Sequence, residues 1–246
     1  MPPVYASVDL RNSLFKVSPI DTNLFSAGFN NLNPQLMSVR VAAMKARIQR
    51  EFPKAKRILF IPEEHTRNTF YLENVAIMTE IIKTAGYELV LGSLAEGMNY
   101  PATLKTATAR DIILYEITRE DNLLRSGDFV PDIIFLNNDL SGGAYPLFEN
   151  IEQPILPDPS LGWDQRLKSQ HFSMFKDVAT KFSEAIDVDS WFVNPLYRNC
   201  GEVDFMAGEG IECLRYNAEQ LFRSINKKYK EYNITEKPFI IVKADA

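Results

Sequence analysis

The sequence contains few of the residues that build sulfur-based or imidazole-based sites. Its 246 residues include two cysteines, Cys200 and Cys213, and two histidines, His65 and His171. Two cysteines cannot form a disulfide framework, and without a Cys/His cluster around them they do not form a zinc site. We therefore expect two reduced thiols, and a histidine-rich metal site is excluded.

Excess basic charge and long apolar runs are also missing. There are 27 Lys and Arg against 32 Asp and Glu, a net charge of -5, which gives no electrostatic footprint for nucleic acid or anionic lipid. Runs such as 58–61 are strand-sized, far below the roughly 20 residues of a membrane span. The N-terminus has neither a basic n-region nor an apolar h-region. These absences predict a cytoplasmic protein with no nucleic-acid or membrane partner.

Several catalytic signatures are absent as well. The sequence has no Gly-x-Gly-x-x-Gly, no Walker loop, no Gly-x-Ser-x-Gly and no His-Glu-x-x-His. Rossmann dehydrogenases, P-loop enzymes, α/β-hydrolases and zincins therefore lack their motifs here.

The pattern that is present alternates strand-length apolar runs with helical periodicity. Such an order is typical of an α/β fold with a parallel sheet flanked by helices. His171 falls on the apolar stripe of the longest expected helix, where a lone histidine is more often a core residue than a catalyst. The sequence predicts strands at 4–10, 57–61, 88–91, 132–136, 191–195 and 239–242, and helices at 34–52, 68–85, 162–186 and 212–232.

Two segments are candidate ligand loops. The loop-rich run 9–33 interleaves Asn, Asp, Arg and Lys with Phe and Leu, as a fixed binding loop does, although Asn residues bonding their own backbone in turns explain it too. The polar exit 137–143 follows an apolar strand, where ligands bind in open α/β sheets, and a plain turn is equally consistent. The prolines between 149 and 159 mark a transition between subdomains.

The final residues carry the strongest local signal. Lys243 ends the apolar run 239–242, and a lysine at the end of a buried strand can reach a nucleotide phosphate cradled by a following Gly-rich loop. This is the layout of an ATP-grasp nucleotide site. Because the sequence stops at Ala246, where that loop is expected, we expect the chain to be a C-terminally truncated piece.

Several separated blocks, taken together, resemble the proteobacterial glutamate-cysteine ligase family of ATP-grasp type. The resemblance covers essentially the whole chain. The blocks are Ser7-Val8-Asp9-Leu10-Arg11-Asn12 with Phe15-Lys16, Pro19-Ile20-Asp21-Thr22-Asn23-Leu24-Phe25, Gly28-Phe29-Asn30-Asn31-Leu32, Gly162-Trp163 with Arg166, Lys168, Ser169 and His171-Phe172, and Phe239-Ile240-Ile241-Val242-Lys243-Ala244-Asp245.

The resemblance implies an activity and a set of small-molecule partners. The activity is ATP- and magnesium-dependent ligation of L-glutamate, through its γ-carboxyl group, to L-cysteine, the first step of glutathione synthesis. In such a reaction ATP phosphorylates the carboxylate, and the amine of the second substrate displaces phosphate. Positioning and charge neutralisation dominate that catalysis.

Individual roles follow from residue chemistry within that resemblance. Arg11 and Lys16 are expected to hold carboxylates, and Lys243 to contact ATP. The amide hydrogen bonds are expected from Asn12, Asn23, Asn30 and Asn31. No catalytic residue or magnesium ligand is identified, because the family's magnesium ligands belong to the part of the ATP-grasp domain that would follow Ala246.

The resemblance also predicts the domain organisation. Residues 1–157 are expected to form a pre-ATP-grasp-like α/β substrate domain, and residues 158–246 a helical segment with the first strand of an ATP-grasp region. The chain by itself is then an inactive N-terminal part of the ligase. Two alternatives remain open. One is a non-catalytic small-molecule or nucleotide-binding α/β domain. The other is a nucleotide-sugar glycosyltransferase, which is weakened because Asp187-Val188-Asp189 closes a helix and does not follow a strand.

Overall fold

The computed structural model describes residues 3–25, 27–64, 67–143 and 145–245. The chain divides into two compact units. The first unit comprises Met1–Ser7 and Asn23–Gln165, and the second comprises Val8–Thr22 and Arg166–Ala246. Each unit combines two separate stretches of the sequence, and the expected domains 1–157 and 158–246 stay a prediction.

Ten strands and four α-helices are formed within the described residues. The strands are β1 (Ser7–Asn12), β2 (Val17–Asn23), β3 (Arg57–Pro62), β4 (Glu88–Ser93), β5 (Ala102–Lys105), β6 (Asp111–Glu116), β7 (Thr118–Glu120), β8 (Leu123–Arg125), β9 (Ile133–Asn137) and β10 (Ile155–Leu156). The helices are α1 (Met37–Glu51), α2 (Thr69–Thr84), α3 (Lys168–Ala185) and α4 (Ile211–Glu231).

The first unit is built on a six-stranded sheet in the order β10-β9-β3-β4-β6-β5. Neighbouring strands are parallel except for β5, which pairs antiparallel with β6 at one edge. In the centre, Phe60 lies opposite Leu91 on one side and Phe135 on the other. The predicted mixed α/β fold with a mostly parallel sheet flanked by helices is confirmed.

The two faces of this sheet contribute to different hydrophobic clusters. Successive side chains of a strand point to opposite faces. Ile58 and Phe60 of β3 accordingly pack with residues of α1 and α2. Leu59 and Ile61 pack on the other face against loop residues that include Phe25. Continuous apolar strands are therefore needed, because both faces are covered.

The predicted helix boundaries of the first unit depend on capping residues. The Asn33 side chain accepts a hydrogen bond from the Gln35 N–H, and the 3-10 turn Pro34–Leu36 leads into α1. The Asn68 side chain accepts from the Tyr71 N–H at the start of α2. After α2, Gly86 adopts φ 99°, a left-handed conformation that glycine tolerates without strain.

The second unit contains the two-stranded sheet β1-β2, the helices α3 and α4, and the segment 190–199. Its best-buried aromatic side chain is Trp191, whose ring lies 5.3 Å from that of Tyr232 and 6.1 Å from that of Phe15, stacked in both cases. Tyr229 of α4 packs edge-on against Phe15 at 5.6 Å. These aromatic contacts join the hairpin, the 190s segment and α4.

The predicted helix over 162–186 begins later and buries a different face. Gly162 is extended at φ -66° and ψ 162° after the 3-10 turn Pro159–Leu161, so α3 begins only at Lys168. The predicted buried stripe is largely exposed: Met174 is 74% exposed and Val178 65%. The buried residues of α3 are Ala179 and Ser183, because the packed face is offset from the most apolar one.

Three other expectations of the sequence are wrong in detail. The segment expected as a strand at 191–195 starts with a 3-10 turn, Ser190–Phe192, because the Asp189 side chain caps the Trp191 N–H. The run 239–242 is not a strand, since it pairs with no strand within the described residues, and Phe239 is 74% exposed. The run 9–33 was expected to form loops, but it contains β2, which pairs with β1. Across the described ranges, no helix is both long and apolar enough to cross a membrane.

Candidate functional site

A cavity of about 340 Å³ lies within the second unit and is called here the cationic cavity. Its walls come from the β1-β2 hairpin, the first turn of α3, the segment 191–199, α4 and the tail 239–245. Its lining residues are Arg11, Ser13, Phe15, Lys16, Ser18, Ile20, Lys168, Ser169, Phe172, Trp191, Pro195, Leu196, Tyr197, Arg198, Asn199, Leu221, Ile225, Tyr229, Phe239, Ile240, Ile241, Lys243, Ala244 and Asp245.

The charges around this cavity are strongly unequal. Among the described residues, five cationic side chains line it, against one carboxylate, that of Asp245; the cations are Arg11, Lys16, Lys168, Arg198 and Lys243. The remaining wall is mainly aromatic and aliphatic. A cavity with an apolar wall and a few convergent cations favours a small anionic ligand.

Ser18 supplies an unused polar group in this wall. Its residue is 5% exposed, and among the described residues its hydroxyl has no hydrogen-bond partner. A buried hydroxyl without a partner costs free energy, so buried polar groups normally find one. The hydroxyl oxygen itself is closed off from solvent, so Ser18 lines the cavity with its other atoms.

Lys16 is held mainly by the protein itself. Its ammonium donates to the backbone carbonyl of Trp191 and, at 2.7 Å, to that of Asn194, and it lies 4.7 Å from the centre of the Trp191 ring. Burial lowers the pKa of Lys16 to about 8. Two of its three N–H groups are thus engaged. Lys16 fastens the hairpin to the 190s segment and has one donor left for a ligand.

Asp245 caps the start of α3. The Ser169 N–H and hydroxyl both donate to the Asp245 carboxylate at 2.7 Å, and the Lys168 N–H donates to the Asp245 carbonyl at 2.8 Å. A carboxylate at a helix N-terminus satisfies otherwise unpaired N–H groups and complements the helix dipole. Lys243 is positioned by the same tail, with its Nζ 3.3 Å from the Asp21 carboxylate.

The structure brings together three of the seven site residues predicted from sequence. Arg11, Lys16 and Lys243 line the cationic cavity. Asn12 does not line it, and its side chain accepts from the Leu14 N–H at 2.9 Å, a turn contact. The roles of Arg11, Lys16 and Lys243 toward substrate stay predictions.

The other three asparagines belong to the first unit. The Asn23 side chain accepts from the Phe25 N–H at 2.8 Å. The Asn30 amide donates to the Asn31 side-chain oxygen at 3.3 Å within the 3-10 turn Phe29–Asn31. Each of these amides is used at least in part for local backbone or side-chain contacts.

Sequence reasoning missed Lys168, Arg198 and Ser18 as lining residues. Lys168 stood inside a block of the family resemblance, but its position at the start of α3 depended on a helix boundary that was placed six residues too early. Arg198 lies in an irregular segment with no periodic pattern. No local signal in the sequence distinguishes it from other exposed arginines.

The carboxyl edge of the sheet in the first unit carries a polar network. The Asn137 amide donates to the Tyr5 hydroxyl at 2.9 Å, and the Tyr71 hydroxyl contacts the Asn137 side-chain oxygen at 2.9 Å. Tyr71 also accepts from the Glu63 N–H at 2.8 Å, and Glu63 accepts from the Asp139 N–H at 2.6 Å. In the segment 137–143, the Asn137 side chain therefore contacts Tyr71, and the Asp139 side chain accepts from the Ser141 N–H in a turn.

Ala144, next to this segment, and His65 lie outside the described residues.

Glu63 in this network gives the first unit a pH-dependent stability. Burial raises the pKa of its carboxyl to about 7, and the nearby Asp139 and Glu64 charges add to the effect. Because the folded pKa exceeds the unfolded one, the native state binds the proton more tightly. The stabilisation is complete below about pH 4 and is lost as the pH rises through 7.

We expect Glu63→Gln to remove much of this dependence. Urea unfolding at pH 5 and pH 8 should show the wild-type chain losing stability at pH 8, and Glu63→Gln losing less. The amide can still accept from the Asp139 N–H. Glu96→Gln, at an exposed position of the same unit, is the control and should behave as wild type. An identical pH response in all three proteins would contradict the assignment.

Comparison with known proteins gives consistent matches. The chain matches the glutamate-cysteine ligase family over residues 1–246. It is similar to a crystal structure from Methylobacillus flagellatus KT, described as a "putative gamma-glutamylcysteine synthetase", with 44% sequence identity and a TM-score of 0.93. That match covers 99% of this chain and 57% of the other chain, so this chain spans little more than half the length of that protein. Among curated proteins, no match is found.

Proposed function

Because the chain belongs to the glutamate-cysteine ligase family, we propose that it serves in the ATP-dependent ligation of L-glutamate to L-cysteine, the first step of glutathione formation. The proposal includes an ATP-grasp mode of nucleotide binding by the whole protein. Within it, the second unit has the role of holding the anionic substrate. The family supplies the reaction class, and the cationic cavity supplies the reason to place the substrate here.

The observation that carries the proposal is the surplus of cations around an apolar cavity. Glutamate has two carboxylates and one ammonium, and a volume of about 340 Å³ lies in the range of small-ligand sites. Arg11 and Arg198 are suited to bidentate contacts with a carboxylate, since a guanidinium offers parallel N–H donors. The Asp245 carboxylate lies on the same walls and complements a substrate ammonium.

The positive charge of this cavity suits the phosphates of ATP, whereas the described residues offer no suitable set of ligands for magnesium. The phosphates of ATP would be held by Lys243 and Lys168, and ATP supplies the phosphoryl group that activates a carboxylate. Within the described ranges no three His, Cys, Asp or Glu side chains lie together as metal ligands. The described residues therefore do not fit magnesium, and we propose that the 246-residue chain alone binds glutamate without turning it over.

Replacing Arg11 tests where glutamate binds. Isothermal titration of the chain with glutamate, cysteine and ATP separately should show glutamate binding, and Arg11→Gln should weaken it about 10- to 100-fold, as expected from losing a charged hydrogen bond. Arg50→Gln carries the same substitution at an exposed position of α1 and should bind as wild type. Unchanged glutamate affinity in Arg11→Gln would remove Arg11 from the substrate site.

A turnover assay tests the second part of the proposal. With glutamate, cysteine, ATP and magnesium all present, phosphate release by the 246-residue chain should not exceed the rate without protein. Robust, glutamate-dependent release would overturn the proposal that this chain is inactive alone. It would leave the family assignment and the glutamate site in place.

A further inference from the structure

The only two cysteines of the sequence share one side-chain donor. The Asn217 amide nitrogen lies 3.1 Å from the Cys200 Sγ and 3.5 Å from the Cys213 Sγ. The two sulfur atoms therefore lie at most about 6.6 Å apart. Both thiols are free, with Cys213 exposed and Cys200 half-buried.

The two cysteines are carried by chain segments of different stiffness. Cys213 lies in the first turn of α4, one turn before Asn217 on the same face of the helix. Cys200 lies in the irregular segment between Phe192 and Ile211. Disulfide formation requires the Cβ atoms to approach to about 4 Å, and an irregular segment can adjust toward a fixed helix.

Asn217 connects this pair to the cationic cavity. Its side-chain oxygen accepts from the Arg198 Nε at 3.0 Å, and Arg198 lines the cavity. The same amide group therefore contacts both sulfur atoms through its nitrogen and orients a cavity cation through its oxygen. Because Cys200 lies two residues after Arg198, drawing Cys200 toward Cys213 shifts the backbone that carries Arg198 and disturbs its hydrogen bond to Asn217.

We propose that Cys200 and Cys213 form a dithiol–disulfide site whose oxidation releases Arg198 from Asn217 and so weakens anion binding in the cationic cavity. The oxidant is a low-molecular-weight disulfide. The exposed Cys213 thiolate attacks one sulfur of that disulfide, which releases one small thiolate and leaves a mixed disulfide on Cys213. The Cys200 thiolate then attacks the Cys213 sulfur and displaces the second small thiolate. Two protein thiols are oxidised, one small disulfide is reduced to two thiols, and the two protons from the cysteines pass to the released thiolates.

The choice of a low-molecular-weight disulfide as oxidant rests on the proposed function. Ligation of glutamate to cysteine yields a thiol, and the oxidised form of such a thiol is a low-molecular-weight disulfide. The dithiol would then report the redox state of the thiol pool that the reaction supplies. The disulfide site itself and its contact with Arg198 do not depend on that activity.

Treatment of the folded 246-residue chain with 2-hydroxyethyl disulfide tests the bond. Peptide mapping without reduction should give a linked pair of Cys200 and Cys213 peptides and complete loss of alkylatable thiol. Cys200→Ser should stop at a mixed disulfide on Cys213. If the wild-type chain also gives only mixed disulfides, or no adduct while its urea-unfolded form links the two cysteines, the proposal is wrong.

Two readouts test the effect on the cavity. Modification of Arg198 by phenylglyoxal, measured by peptide mapping, should become about fivefold faster after oxidation, as loss of one ordinary hydrogen bond predicts. Glutamate affinity should fall by a similar factor in the oxidised wild-type chain and stay constant in treated Cys200→Ser. Equal Arg198 reactivity in reduced and oxidised chains would overturn the coupling. If the chain binds no glutamate at all, the proposed function fails, while the linked peptides and the Arg198 reactivity still decide this proposal.

Discussion

Phe135→Ala is expected to lower the free energy of unfolding of the first unit by about 3–5 kcal/mol. Phe135 is fully buried in β9, stacks on the Tyr5 ring at 5.8 Å and on the Phe60 ring at 6.4 Å, and lies opposite Phe60 in the parallel ladder. Removing the ring leaves a cavity between the sheet and α2 that neighbouring strands cannot close. Urea unfolding measures the loss.

The measurement can be confined to the first unit. The sequence has two tryptophans, of which Trp163 belongs to the first unit and Trp191 to the second. In a Trp191→Phe background, fluorescence therefore reports on the first unit. Phe70→Ala is the matched control, because Phe70 in α2 is 71% exposed. A loss below about 1 kcal/mol for Phe135→Ala, equal to that of the control, would contradict the described core.

The second large effect is expected from Trp191→Ala, which should destabilise the second unit by about 3–5 kcal/mol. The ring is 5% exposed and packs against Phe15, Tyr229 and Tyr232. It also lies under the Lys16 ammonium and forms part of the cavity wall. Glutamate binding should therefore weaken together with stability.

Far-UV circular dichroism during urea unfolding follows this variant, because α3 and α4 supply much of the helical signal and the remaining tryptophan reports on the first unit. Met206→Ala, at a position 97% exposed in the same unit, is the control and should change stability by less than about 0.5 kcal/mol. If Trp191→Ala matched this control, the aromatic contacts around Trp191 would have no stabilising role.

The sheet and two helices of the first unit could be predicted because their signals are local. The runs around Phe60 and Phe135 are continuously apolar, and Asn68 and Gly86 mark the ends of α2 at the positions where the structure has them. Each signal is a matter of neighbouring residues: an apolar strand covered on both faces, a side-chain cap, and a glycine at positive φ.

The second unit was harder to predict because its contacts join distant parts of the chain. Met174 and Val178 have the spacing of a buried stripe, yet α3 packs through Ala179 and Ser183. Asp245 caps α3 from a position 76 residues away, which no local pattern can indicate. The three predicted residues that meet in the cavity, Arg11, Lys16 and Lys243, come from both ends of the sequence, and only the family resemblance associated them.

The interleaving of the two units has a consequence for biosynthesis. Val8–Thr22 is synthesised before its partners in the second unit, which begin only at Arg166. The first unit can complete its sheet with β10, near Leu156, before those partners are translated. During that interval the β1-β2 hairpin therefore has no contacts with the rest of the second unit. Contacts between residues so far apart in sequence also form slowly. Deleting Val8–Thr22 would consequently remove a wall of the cationic cavity and leave the rest of the second unit, from Arg166 onward, without its folding partner.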